Sequence, residues 1–115
     1  KRIYEPKVED DGYRVLVDRL WPRGISKEKA SIDFWAKEIS PSNELRKEYH
    51  ANPDDFLGFY KSFREELEIN ESLDEFISMV KEKLEVNNVT FLYASKDMDK
   101  NHASILKEWV ENNDN

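Results

Sequence analysis

Cysteine is absent from this chain. Its absence excludes disulfides, thiolate catalysis and cysteine-ligated metals. Glycine is almost as scarce, at three residues, and neither a P-loop nor a dinucleotide fingerprint can be assembled from them. The nucleophile elbow of a serine hydrolase is missing too. Only two histidines, His50 and His102, are available for proton transfer near neutrality. No apolar run approaches the roughly 20 residues that span a bilayer, and no signal peptide is visible. Positive charge is in deficit: 18 basic residues stand against 25 acidic ones, a formal net charge of -7. That field argues against general nucleic-acid binding, which requires many phosphates to be neutralised. A local basic pocket for one small anion remains open. A surface this densely charged suits a soluble cytoplasmic protein.

What is present is enough for one core. The 115 residues are 38% hydrophobic and 12% aromatic, the size and content of a single domain over residues 1–115. The most informative stretch is Tyr13-Arg14-Val15-Leu16-Val17-Asp18-Arg19-Leu20-Trp21-Pro22-Arg23-Gly24. Val15, Leu16 and Val17 are continuously apolar, as in a strand buried on both faces. An acid, two arginines, a large aromatic and a proline follow where that strand should leave the core.

Elsewhere the elements alternate. Lys1 to Glu5 reads as a short strand or a frayed arm, and Pro6 to Gly12 as an acidic solvent loop. Ser26 is placed to cap a helical turn through Lys29-Ala30. Ile32 to Ala36 reads as a second short strand, with a helical turn as the alternative. Ser42 caps a helix carrying Leu45 and Tyr49. Asn52-Pro53 predicts the next helix start, followed by a stripe of Phe56, Phe59, Tyr60, Phe63 and Leu67, read as core. Ser72 with Glu75 predicts a capping box ahead of Leu73, Phe76, Ile77, Val80 and Leu84. Asn87-Asn88 breaks that pattern, and Val89 to Ala94 is the clearest strand after the first. A last helix carries Ala103, Ile105, Leu106, Trp109 and Val110, then runs into the polar tail from Glu111 to Asn115. Strands buried on both faces and separated by helices predict an α/β fold. It would be a small, mainly parallel sheet of three to four strands with helices on both faces and right-handed crossovers.

Two strands end in charge, Asp18-Arg19 on one and Ser95-Lys96-Asp97 on the other. If they are parallel, both ends lie on one edge of the sheet, where open α/β sheets bind ligands. Asn101 and His102 come next, at or just inside the start of the last helix, whose N-cap is either Asp99 or Asn101. Free backbone N–H groups and the helix dipole favour an anion there. Arg19, Arg23 and Lys96 could hold a phosphate or carboxylate, and Trp21 could cover it. Asp18 and His102 are the candidates for proton transfer. Each has a plainer explanation: Asp18 and Arg19 as closure of the sheet edge, Arg23 as a turn residue, Trp21 as a hydrophobic lid, and His102 as a cap or packing residue. His50 is assigned no role. The acidic stretches Glu9-Asp10-Asp11 and Arg64-Glu65-Glu66 read as solvated faces. Metal binding by Asp18, Asp97, Asp99 and His102 has little support, because no dense ligand spacing exists. No cofactor is indicated.

The run Gly12 to Gly24 resembles the signature of the DUF488 family, in its YeaO-like branch. The similarity continues through Ser26-Lys27-Glu28-Lys29-Ala30, Trp35-Ala36-Lys37-Glu38-Ile39-Ser40-Pro41-Ser42, Leu45-Arg46-Lys47, Asn52-Pro53 and Phe63-Arg64-Glu65-Glu66-Leu67. It closes with Leu92-Tyr93-Ala94-Ser95-Lys96-Asp97 and Asn101-His102-Ala103. The resemblance implies a small bacterial or archaeal cytoplasmic α/β domain of unknown function. It groups Asp18, Arg19, Trp21, Arg23, Lys96, Asp97, Asn101 and His102 as one set. Thiol chemistry proposed for cysteine-bearing branches cannot transfer to this chain, and a net charge of -7 sits badly with a transcription regulator. Two expectations follow. One is an enzyme that binds an anionic, phosphate- or nucleotide-like ligand at the carboxyl edge, with acid–base or hydrolytic chemistry. The other is a non-catalytic binding or protein-interaction module.

Overall fold

The computed structural model describes residues 1–97 and 101–112. Its centre is β1 (Tyr13–Leu16), with α1 (Lys27–Ala30), β2 (Phe34–Trp35), α2 (Asn43–Ala51), α3 (Phe56–Glu68), α4 (Leu73–Leu84), β3 (Val89–Leu92) and α5 (His102–Asn112) following in order. The sheet order is β2-β1-β3, and both pairings are parallel. Val15 lies opposite Phe34, and Tyr13 to Leu16 run opposite Val89 to Leu92. The N-terminal segment is neither frayed nor a full strand. Arg2 bridges Tyr93 in parallel fashion, and the Ile3 N–H donates to the Tyr93 carbonyl at 2.8 Å.

Alternation along β1 sorts the core into two. Val15 and Val17 face a large cluster built from α2, α3, α4 and α5, including Phe59, Phe63, Phe76, Ile105 and Leu106. Leu16, together with Leu92, faces a smaller cluster with Ile3 and Ala30, flanked by Trp21, Ile25, Ile32 and Trp35. Helices therefore cover both faces, unequally: four of them on one side, the single-turn α1 and its loops on the other. No helix among the described residues is long and apolar enough to cross a membrane.

Several local details differ from the sequence-based expectation. Ser42 does cap α2, accepting from the Leu45 N–H. Asn52-Pro53 does not start α3. Asn52 closes α2, its N–H donating to the Glu48 and Tyr49 carbonyls, and Asp55 caps α3 through the Gly58 N–H. Proline sits in the turn between the two helices. Ser72 makes no side-chain cap because it is already helical, at φ -86° and ψ -9°, whereas a capping side chain needs extended backbone to reach back. Asn70 Oδ1 takes the Ser72 N–H instead.

The acidic loop ahead of β1 is not wholly solvated either. Asp11 is 5% exposed and Arg14 is 0% exposed, and the two pair directly. Arg14 also donates to the Ala30 and Ser31 carbonyls at 2.8 and 3.1 Å, while Lys1 Nζ reaches both Asp11 oxygens at 2.8 and 2.9 Å. Ser31 ends α1 in the left-handed region at φ 46°, so Arg14 fastens the turn that delivers β2 to β1. Burial alone would raise the Asp11 carboxyl. The Lys1 ammonium, the Val8 N–H and the Arg14 guanidinium outweigh it and hold Asp11 below the ordinary carboxylate value. Arg64-Glu65-Glu66 is likewise only partly a solvated face. Arg64 lies over the Trp109 and Tyr60 rings, at 4.9 and 5.4 Å, and Glu66 accepts from both the N–H and the hydroxyl of Ser42.

Candidate functional site

The carboxyl ends of β1 and β3 lie side by side because the two strands are parallel neighbours. Their exits diverge. The chain leaving β1 goes to α1 on the face of the small cluster, and the chain leaving β3 goes to α5 on the face of the large one. That is a topological switch point, where open α/β sheets leave a crevice for a ligand.

Here Asp18 links the segment after β3 to the start of α5. One carboxylate oxygen accepts from the Ala94 N–H at 2.9 Å. The other lies 2.7 Å from His102 Nε2. Both side chains are largely sheltered, at 14% and 15% exposure for Asp18 and His102 respectively. The Asp18 carbonyl accepts from Trp35 Nε1 at 2.6 Å, so β2 is tied to the same residue. Asn101, only 3% exposed, is the cap of α5. Its Oδ1 accepts from the Ser104 N–H at 3.1 Å and its Nδ2 donates to the Asp97 carbonyl at 2.8 Å. Between the two alternatives for the cap, Asn101 is thus seen in that role; Asp99 lies outside the described residues, as do the last three residues of the polar tail.

Arg19 is equally committed. Its Nε and Nη2 donate to the Pro41 and Ser40 carbonyls at 3.0 and 2.8 Å, which anchors the turn before α2. Trp21 packs edge-on against Trp35 with ring centroids 5.5 Å apart, and its indole N–H donates to the Ile25 carbonyl at 2.8 Å. It belongs to the small core cluster. Arg23, Lys96 and Asp97 are exposed. The structure therefore brings Asp18 and His102 together, uses Asn101 as the cap of α5, ties Arg19 and Trp21 into neighbouring backbone, and leaves Arg23 and Lys96 exposed.

Arg2 was missing from the sequence-derived set. Its guanidinium donates to the Ser95 and Ala94 carbonyls at 2.9 and 3.2 Å and lies 5.1 Å from the centre of the Tyr4 ring. The Tyr4 hydroxyl in turn donates to the Arg23 carbonyl at 2.8 Å. Arg2 and the Arg23 backbone thereby meet at one exposed tyrosine, and Lys96 follows the Ser95 whose carbonyl Arg2 holds. A pairing across 93 positions leaves no local pattern, and only the basic character of Lys1-Arg2 could have hinted at it. Among the described residues, no group of three or more histidine, aspartate or glutamate side chains is arranged to hold a metal ion.

A family model described as the inactive DUF488-N3 subclade matches residues 1–115. The chain belongs to this family. It is 42% identical over 110 residues to an uncharacterised Escherichia coli protein, YeaO, covering 96% of this chain and 93% of that relative. It is 37% identical over 107 residues to uncharacterised Mycobacterium tuberculosis and Mycobacterium bovis proteins, Rv3073c and Mb3100c, covering 93% of this chain and 87% of each relative. No solved structure matches it.

Proposed function

We propose that this DUF488 domain is a non-catalytic binding module that recognises an anionic group at the carboxyl edge of its sheet. The observation that carries the reading is the bridge made by Asp18. Each of its carboxylate oxygens has a protein partner, the Ala94 N–H for one and His102 for the other, at the switch point where a substrate would be expected to lie. A general base needs a lone pair within reach of the proton it removes, and an anion clamp needs free guanidinium N–H groups. Asp18 directs both carboxylate oxygens to protein partners, and Arg19 directs Nε and Nη2 to the Pro41 and Ser40 carbonyls. The description of the family as an inactive subclade supports the same reading.

Binding then falls to the exposed cations Arg23 and Lys96. Exposed cations of this kind suit a phosphate or carboxylate on a small molecule or on a partner's surface. Charge of -7 over the whole chain keeps nucleic acid out of the proposal. A cytoplasmic setting goes with it, on the strength of the densely charged sequence.

One observation favours the enzyme as a second reading. A carboxylate 2.7 Å from an imidazole nitrogen at a topological switch point is also how an acid–base pair is oriented. One experiment separates the two. Purified protein is screened by thermal shift against inorganic phosphate, pyrophosphate and nucleoside monophosphates, and incubated with an activated phosphate ester and an activated carboxylate ester. Binding without turnover is expected, with stabilisation lost in Arg23→Ala/Lys96→Ala and kept in His102→Gln. Turnover that disappears in a folded His102→Gln or Asp18→Asn variant would overturn the proposal in favour of the enzyme.

A further inference from the structure

We draw no further inference here: the strongest candidate, the apolar groove of about 610 Å³ between α4 and α5 along the outer side of β3, is an unpartnered face, and nothing among the described residues shows what covers it.

Discussion

Arg14 offers the sharpest test of how this fold is held. Its side chain is wholly buried, yet it carries a charge and three partners: Asp11, the Ala30 carbonyl and the Ser31 carbonyl. Replacing it with methionine preserves most of the volume and removes the charge. Asp11 then keeps Lys1 and the Val8 N–H but loses its innermost partner. Removing one member of a buried ion pair costs about 3–5 kcal/mol, and two carbonyls deprived of their donor fall within the same penalty. For a domain of this size each kcal/mol lowers Tm by roughly 4 °C, so Arg14→Met should melt roughly 12–20 °C below wild type. The double variant Asp11→Asn/Arg14→Met removes both charges and should be no less stable than Arg14→Met alone. Thermal and urea unfolding followed by circular dichroism give the four corners of the cycle. Amide exchange at Ala30 and Ser31 should also accelerate in Arg14→Met, because these residues lose the group that ties them to β1. A cost below about 1 kcal/mol, or single effects that simply add in the double variant, would refute the pairing as the element that fixes β2 against β1.

Other expectations are smaller. Asp11 titrates below its ordinary value in the folded chain, so its contribution is present above about pH 4 and is lost as the pH falls through the folded value. Tm measured from pH 6 to pH 2 should therefore decline more steeply in wild type than in Asp11→Asn over the acid end. Arg19→Ala should destabilise by about 1.5–3 kcal/mol by stranding the Ser40 and Pro41 carbonyls; it should leave any anion binding at Arg23 and Lys96 unchanged, and a variant of full stability that no longer binds would contradict the geometry. Ser42→Ala removes the α2 cap and a partner of Glu66, which should cost about 1–2 kcal/mol in urea unfolding. Arg64→Ala loses its place over the Trp109 and Tyr60 rings and should cost about 1 kcal/mol, with a change in tryptophan fluorescence as the local readout.

Where a structural element depends on neighbours in sequence, it could be read in advance. The run Val15 to Val17 is fully buried, as its unbroken apolar character required, and Val89 to Leu92 pairs with it. Ser26 and Ser42 cap their helices because a hydroxyl in extended backbone needs only the N–H three positions ahead. The same local rule misled at Asn52-Pro53 and Ser72. There the competing partner was another local group, Glu48 and Tyr49 in one case and Asn70 in the other, and the choice between them depends on how α2, α3 and α4 pack.

The sequence by itself determined the composition of the site: an acid and two arginines after one strand, a lysine and an acid after another, and a histidine at a helix start. It also determined that no thiol, P-loop or serine elbow could be involved. Tertiary structure alone decided what these groups are free to do. Whether a carboxylate meets a ligand or a backbone N–H depends on what lies within about 3 Å of it, and the partners of Asp18 come from β2, the segment after β3, and α5. Arg19 meets Ser40 and Pro41 only because the chain turns back from β2. Arg2 reaches Ser95 only because the N-terminal segment lies beside β3. Charge is a property of the residue, whereas availability is a property of the fold.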